Sequence, residues 1–291
     1  MISGLTIVVP AYNESENIPG ILSGLIEFAE INHFKIIMVN DGSTDKTADI
    51  LRNFSDHEAL KVIHHKINKG YGAAIKTGIY NTNTEYVVTI DADGQHDITD
   101  IKRLLILMKE KDADLIIGKR NNARTNFREI GKYMIRKITK ILISHMFIHD
   151  LNSGFKMYRT DIVKDYLSIC PNSMAFSDII ALIFINQRHL VIEVPIKINE
   201  RKKGKSTISI RTALETMQEI INIVILFNPS RIFIPIFLLL FVSGVIWGFP
   251  ILLKGNGLSS ASALLLIIAL LIFLIGLIAE QLSIMIKKNI K

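Results

Sequence analysis

In the segment YVVTIDADGQH, residues 86–96, an apolar run rich in Val ends abruptly in acidic and amide residues. Such a run, bounded by polar segments, is typical of a buried strand in a parallel sheet. Four similar runs lie in the first 120 residues, with helical stretches between them. This alternation predicts an α/β domain with helices on both faces of a mostly parallel sheet. The five runs are Leu5–Val9, Lys35–Asn40, Leu60–His64, Tyr86–Ile90 and Leu115–Gly118.

Polar segments follow three of these strands: Pro10–Glu14, Asn40–Ser43 and Asp91–His96. In such sheets ligands bind beyond the carboxyl ends of the strands, so we expect the three segments to open onto one crevice. The carboxylates of the third segment, with an amide two residues on, are hard oxygen ligands that suit Mg²⁺ or Mn²⁺ and hence a nucleoside diphosphate. Turn chemistry explains any one segment alone, but explains all three together poorly.

Other site signatures are weak or absent from the sequence. Lys69–Gly72 opens a helix and could hold a phosphate at its N-terminus, yet its spacing is not that of a dinucleotide-binding loop. The chain has no P-loop, no H-E-x-x-H and no Cys/His cluster for zinc, and His96 is the histidine that merits a test. Its one cysteine, Cys170, permits no internal disulfide, which fits a reducing compartment.

The composition places part of the chain in lipid. Of 291 residues, 49% are hydrophobic, and the mean hydropathy is +0.34. Ile232–Leu253 and Gly255–Ala279 carry no charge, and the first run would extend about 33 Å as a helix, enough for a bilayer core of about 30 Å. A short connection makes them a transmembrane hairpin with spans at about 232–253 and 261–284.

Charge indicates how the hairpin is oriented and argues against nucleic acid as a partner. Basic residues flank the outer ends of the hairpin, at Arg231 and at 287–291, which predicts that both ends face the cytosol. Met1–Pro10 lacks the features of a signal peptide, so we expect the front domain to be cytosolic. The net charge of +7 is modest and is not concentrated in the front domain, unlike that of a nucleic-acid binder.

Two amphipathic stretches separate the sheet from the hairpin. Residues 128–148 are predicted to form a basic amphipathic helix, which suits a membrane surface or, equally, packing on the sheet. Residues 207–228 are predicted to form a second helix that we expect to lie along the interface. The predicted organisation is therefore a catalytic domain over 1–206, an interface helix over 207–228 and the hairpin over 229–291.

Taken together, six segments resemble the inverting family 2 glycosyltransferases with a GT-A fold, and specifically the dolichol-phosphate mannose synthases and related polyprenyl-phosphate glycosyltransferases. The Asp-x-Asp pattern is unspecific alone, whereas the whole set is specific and covers nearly the whole chain. The segments are Val9–Glu14, Asn40–Ser43, Asp91–His96, Gly118–Arg120, Ser153–Phe155 and Arg201–Ser206.

The resemblance implies a Rossmann-like GT-A domain that transfers a hexose from a nucleotide sugar to a polyprenyl or dolichyl phosphate. GDP-mannose is the first expectation for the donor, with UDP-glucose and UDP-N-acetylglucosamine left open. It also implies a set of site residues: Pro10, Ala11, Tyr12, Glu14, Val39, Asp41, Gly70 and Ala92 at the donor, Asp91, Asp93 and Gln95 at Mg²⁺ or Mn²⁺, and Arg120 and Arg201 at phosphates. Where relatives often have a lysine the chain has Thr207, so Lys205 or Lys203 is expected to replace that lysine.

The implied chemistry needs no enzymic base, because a lipid phosphate is largely dianionic at neutral pH and can attack the sugar itself. Asp93, Arg120 and Arg201 are then expected to stabilise the leaving diphosphate. Asp178 is expected to orient the sugar or acceptor, or to cap a helix.

Several alternatives remain open at this stage. They are transfer to a lipid hydroxyl with Asp178 as base, a processive polysaccharide synthase, a catalytically inactive nucleotide-sugar binder and a two-helix channel subunit. The two spans also leave apolar surface on which identical subunits could pair.

Overall fold

The computed structural model describes residues 4–120, 148–197, 218, 221–222, 224–255, 257 and 259–289. The chain divides into two compact units, one built on a sheet and one on two long helices. The strands are β1 Leu5–Ala11, β2 Lys35–Asn40, β3 Leu60–His64, β4 Tyr86–Thr89, β5 Leu115–Arg120, β6 Lys156–Arg159 and β7 Val191–Ile196. The helices are α1 Ile18–Asn32, α2 Thr47–Arg52, α3 Tyr71–Tyr80, α4 Thr99–Glu110, α5 Thr160–Tyr166, α6 Phe176–Asn186, α7 Ser230–Leu253 and α8 Ser260–Asn289.

The first unit contains a seven-stranded sheet in the order β3-β2-β1-β4-β6-β5-β7. β1 runs parallel to β2 and β4, β2 to β3, and β5 to β7, whereas β6 runs antiparallel to β4 and β5. The mostly parallel α/β sheet expected from the sequence is thereby confirmed. The antiparallel β6, inserted between β4 and β5, was not predicted.

Helices cover both faces of this sheet, as the side-chain alternation of β1 shows. Ile7 and Val9 are fully buried in a core that also contains Leu22 of α1 and Leu104 of α4. Val8 points to the opposite face, where a Cβ on Gly78 of α3 would overlap it. Because successive strand residues point to opposite faces, one strand anchors helices on both sides.

The second unit contains α7 and α8, which pack against each other through small residues. Gly244 and Gly248 of α7 are buried, and the hydroxyl of Ser262 on α8 donates to the Gly244 carbonyl over 2.8 Å. The rings of Phe237 and Phe273 lie 5.1 Å apart between the same helices. By length and composition both helices are able to cross a membrane.

Two of the expected segments lie largely beyond the described residues. Of the helix expected over 128–148, the structure describes only Ile148, and 207–228 is described only at 218, 221–222 and 224–228. Both stay predictions.

Candidate active site

The carboxyl ends of β2, β1 and β4 share one edge of the sheet, because these strands lie side by side. Pro10 of β1 is in register with Val39 of β2, and Ala11 with Asn40. β4 pairs with the other side of β1, and the chain continues from it into Asp91. The three polar segments therefore follow adjacent strand ends, as the sequence predicted.

The segments after β1 and β2 form one corner of this edge. Asn13 has a left-handed backbone, with φ of 55°, and its side-chain oxygen accepts the backbone N–H of Thr44 over 2.8 Å. The Tyr12 side chain is exposed, whereas Pro10 and Val39 are buried in the sheet. Tyr12 is therefore the accessible ring at this corner. Contact with a nucleoside stays a prediction for Pro10, Ala11, Tyr12, Glu14 and Val39.

Asp41, at the end of β2, is buried, and three groups of the loop after β3 contact its carboxylate. The backbone amides of Lys69 and Gly70 donate to it over 2.9 and 2.8 Å, and Nδ1 of His65 lies 2.6 Å from its Oδ1. Asp41 therefore fixes the position of residues 65–70. Its expected contact with the nucleoside stays a prediction.

The start of α3 is held by protein groups. The amide of Gly70 donates to Asp41, and those of Gly72 and Ala73 donate to the carbonyl of Asn172 over 2.9 and 3.3 Å. These three amides are therefore bonded to protein groups, and a phosphate at this helix start stays a prediction. A substrate contact by Gly70 stays a prediction.

Asp91, which follows β4, has a carboxylate that is surrounded by side chains from several segments. The Tyr71 hydroxyl donates to its Oδ1 over 2.9 Å, and Nε2 of His96 lies 3.6 Å from its Oδ2. A Cβ on Gly154 would overlap its carboxylate, so a larger residue at this position would displace the acid. Burial alone would raise the pKa of Asp91, but His96, Tyr71 and the charge of Arg120 outweigh it and lower that pKa. Asp91 is therefore ionised at neutral pH.

The donor set here fits a hard divalent cation. Asp93 follows Asp91 by two residues, and its Oδ1 accepts the backbone N–H of Gln95 over 3.1 Å. Within the described part of the chain, no group of three or more His, Cys, Asp or Glu side chains could hold a metal. Two carboxylates and an amide suit Mg²⁺ or Mn²⁺, which keep several waters and also bind substrate phosphates. Metal binding by these residues, with Ala92 between them, stays a prediction.

Arg120, at the end of β5, is oriented by the segment that precedes β6. Its Nε and Nη2 donate to Asp150 over 2.8 Å each, and Nη2 also donates to Asn152 over 2.6 Å. Glu193 of β7 in turn accepts the Asp150 amide over 2.7 Å. The hydrogen bonds to Asp150 raise the pKa of Arg120. This bidentate contact with Asp150 fixes the plane of the Arg120 guanidinium. The expected contact of Arg120 with phosphates stays a prediction.

Lys156, the first residue of β6, is fully buried and was missed by sequence reasoning. Its ammonium donates to the carbonyl of Leu151 over 2.8 Å and also to that of Ser153. Burial lowers the pKa of Lys156 to about 8. The local signal was slight, a single lysine between apolar residues just after the Ser153–Phe155 motif.

Asp178 lies in the first turn of α6, close to the Lys156 charge. The N-cap of α6 is Ala175 and Asp178 is the third helical residue, so the helix-cap interpretation of Asp178 was wrong. Burial raises the pKa of Asp178 to about 6, although Lys156 and Arg120 act in the opposite direction. The carboxyl group is therefore able to exchange a proton near neutral pH.

Arg201 and Lys205, with Lys203 as the alternative cation, lie outside the described residues. Their expected contacts with phosphates stay predictions.

Residues 6–167, more than half of the chain, match the family described as "Glycosyl transferase family 2". The chain belongs to this family. A second match, to the "GtrB C-terminal hairpin", covers residues 228–285, which include α7 and most of α8.

Two curated relatives of this family 2 chain come from Trichomonas vaginalis, and both are named dolichyl-phosphate β-glucosyltransferases. ALG5A is 31% identical over 175 residues, 55% of this chain and 54% of the relative. ALG5D is 28% identical over 236 residues, 74% of this chain and 72% of the relative. The chain thus spans about half the length of the first relative.

Solved structures share the fold at low sequence identity. Glucosyl-3-phosphoglycerate synthase from Mycobacterium tuberculosis, in complex with Mn²⁺, UDP and phosphoglyceric acid, has a TM-score of 0.58 at 15% identity, covering 79% of this chain and 78% of that one. S. aureus TarS in complex with UDP has a TM-score of 0.52 at 20% identity, with 77% and 65% covered. Both likenesses concern the fold alone.

Proposed function

We propose that the protein transfers glucose from UDP-glucose to dolichyl or a related polyprenyl phosphate, with inversion at the anomeric carbon. The two curated relatives are named as dolichyl-phosphate glucosyltransferases, which supports this acceptor and favours glucose. The earlier expectation of GDP-mannose has no such support and is replaced. UDP is the nucleotide in two solved structures of the same fold.

The observation that carries the proposal is that an ionised Asp91 and an oriented Arg120 lie at the carboxyl ends of strands on the same side of the sheet. Tyr71, His96 and Gly154 surround the Asp91 carboxylate, and Asp150 fixes the Arg120 guanidinium. Groups held in place before the reaction stabilise developing charge without having to reorganise. This arrangement suits the departure of a nucleoside diphosphate.

The reaction then runs without a protein base. An oxygen of the acceptor phosphate attacks C1 of glucose, while the bond from C1 to the β-phosphate oxygen breaks and its electron pair leaves with UDP. Arg120 would lie against the charge that develops on the diphosphate. Mg²⁺ or Mn²⁺ held by Asp91, Asp93 and Gln95 would offset the same charge when bound.

The hairpin suits a lipid acceptor. An isoprenoid tail lies in the bilayer with its phosphate at headgroup level, so an enzyme acting on it has to work at that surface. We extend the proposal to the organisation given above: a catalytic domain over 1–206, an interface helix over 207–228 and two spans within 229–291. The catalytic domain and the C-terminus would face the cytosol.

The test uses the full chain in lipid nanodiscs with Mn²⁺, dolichyl phosphate and, in separate reactions, UDP-glucose, UDP-N-acetylglucosamine and GDP-mannose. The glycolipid product is then identified by mass. A hexosyl product from UDP-glucose supports the proposal. A product from GDP-mannose alone restores the mannose alternative, and binding of UDP-glucose without turnover supports the inactive binder.

Asp178 favours a second candidate, transfer of the sugar to a lipid hydroxyl. A hydroxyl needs a general base, and a carboxyl with its pKa raised to about 6 is suited to that role. Dolichol and dolichyl phosphate are compared as acceptors for the wild type and for D178N. Turnover with dolichol that D178N abolishes would establish this candidate, whereas product from dolichyl phosphate only would exclude it.

A further inference from the structure

The ammonium of Lys156 is sealed inside the protein at the start of β6. None of this residue's surface is exposed, and its hydrogen bonds go to the backbone carbonyls of Leu151 and Ser153. A buried charge is costly unless hydrogen bonds and opposite charges compensate for it. The position of this ammonium is therefore tied to the two carbonyls that accept its hydrogen bonds.

The two carbonyls belong to a turn, residues 150–154, that touches both key groups of the site. Asp150 and Asn152 accept hydrogen bonds from the Arg120 guanidinium. At the other end of the turn, Gly154 lies directly beneath the Asp91 carboxylate. A displacement of this turn would therefore move the Arg120 guanidinium and the Asp91 carboxylate together.

The turn is also anchored to β4 at its carboxyl end. The hydroxyl of Thr89, the last residue of β4, donates to the carbonyl of Gly154 over 2.8 Å. The carbonyls of Leu151 and Ser153 point inward to the ammonium instead, and Lys156 supplies the donors that satisfy them there. A neutral side chain without donors would take this partner from both carbonyls, of which that of Ser153 is buried, and the turn would shift to recover hydrogen bonds.

Charge reinforces the same arrangement. Asp150 and Asp178 favour the charged form of Lys156, which limits the drop in pKa that burial causes. Two carbonyls therefore hold the Lys156 ammonium while the charges of two carboxylates attract it, and its own charge opposes the repulsion between those acids.

We propose that Lys156 is a positioning residue of the transfer reaction, because its ammonium holds the turn that orients Arg120 and supports Asp91. Lys156 contacts no substrate in this proposal and acts through those two groups. The inference rests on the proposed function and adds to it a residue that fixes the geometry of leaving-group stabilisation.

The experiment compares K156M with the matched control K164M in the full chain in nanodiscs. Lys164 of α5 also gives its ammonium to a backbone carbonyl, that of Thr82, over 2.6 Å, but this bond lies near the amino end of β4 and away from the site. The turnover number and KM for UDP-glucose are measured with Mn²⁺ and dolichyl phosphate, and folded protein is quantified by thermal unfolding. We expect K156M to lower kcat about tenfold or more with KM changed less than about threefold, and K164M to leave both near wild type.

Wild-type kcat in folded K156M would overturn the proposal, as would equal losses in the two variants. If K156M does not fold, K156Q, whose uncharged side chain is one atom shorter and cannot place an ammonium between the two carbonyls, is measured against the same control. Wild-type kcat in K156Q then overturns the proposal, and a selective loss of kcat supports it.

A structural readout separates this inference from the proposed function. Amide hydrogen exchange of residues 151–155 is expected to accelerate in K156M and not in K164M. If the wild type forms no glycolipid, the proposed function fails. The role of Lys156 is then tested by comparing hydrogen exchange in this turn and Mn²⁺-dependent UDP binding between K156M and K164M. Unchanged exchange and unchanged UDP binding would contradict it.

Discussion

Single residues at the carboxyl edge of the sheet determine which chemistry the protein can perform. Asp93 was predicted from sequence as a metal ligand two residues beyond Asp91. We expect D93A to lower Mn²⁺-dependent glycolipid formation about a hundredfold or more, since a lost carboxylate weakens the cation that offsets diphosphate charge. Radiolabelled glucose transfer, with far-UV circular dichroism to confirm folding, checks this. The control is D56A, which removes an exposed carboxylate after α2, and wild-type transfer by D93A would refute the metal assignment.

Gly154 is a second residue whose role follows from geometry. A Cβ at this position would overlap the Asp91 carboxylate. We expect G154A to lower kcat about tenfold through displacement of that acid. In the matched control G24A, the new methyl group meets open space inside α1 and should stabilise the helix by about 1 kcal/mol. Steady-state kinetics and thermal unfolding test both variants, and wild-type kcat in G154A would show that Asp91 tolerates displacement.

Asp178 makes a prediction about pH. If dolichyl phosphate is the nucleophile, activity falls below about pH 6, because the second ionisation of a phosphomonoester lies there and its monoanion attacks more weakly. This loss of activity at low pH would come from protonation of the acceptor phosphate and should persist in D178N. If Asp178 is the base, its own pKa of about 6 gives a similar loss, but D178N then has little turnover at any pH. Profiles of kcat/KM against pH for both proteins separate the two cases.

Among the helices and strands, those that the sequence predicted correctly are local features. β1 to β5 are apolar runs, and the acids of the site follow one of them directly, so strand and site could be read from the same segment. β6 was missed because it is only four residues long. It also pairs antiparallel with β4 and β5, two strands that lie far from it in sequence.

The supporting residues of the site were missed for a related reason. Lys156, Asp150 and Tyr71 reach the site only through pairing and packing between segments far apart in sequence. A lysine is also normally expected at the surface, and nothing in its own sequence neighbourhood indicates complete burial. The sequence therefore indicated candidate groups at the strand ends but not the groups that hold them in place.

The hairpin gives a prediction for helix packing. A Cβ on Gly248 of α7 would overlap the Ser262 side chain of α8, so close approach of these helices depends on that glycine. We expect G248V to destabilise the hairpin by roughly 1–3 kcal/mol, the usual cost of overpacking. Thermal unfolding in detergent measures the effect. V242I changes an exposed position of the same helix and should have little effect, and equal stability of the two variants would contradict this packing.

For the whole molecule, the apolar surface of the second unit sets the environment in which the first can work. Many large apolar side chains of α7 and α8 are exposed, among them Leu239, Ile246 and Trp247. Surface of this extent requires lipid or another protein surface to cover it. A bilayer covers it in the proposed function, and pairing of identical chains through the remaining surface stays a prediction.

Under the proposed function, the first unit carries out the chemistry and the second gives access to the acceptor, which a truncation can test. A protein ending at residue 228 keeps all the described groups of the site, so we expect it to glucosylate a short, water-soluble polyprenyl phosphate at a rate near that of the full chain. On long-chain dolichyl phosphate in vesicles its rate should fall about tenfold or more, because the enzyme is no longer concentrated at the surface that holds the acceptor. The ratio of the two rates is the measurement. Equal loss of activity on both acceptors would mean that the hairpin stabilises the catalytic domain. Its role would then be structural, and it would not serve to bring the enzyme to the membrane.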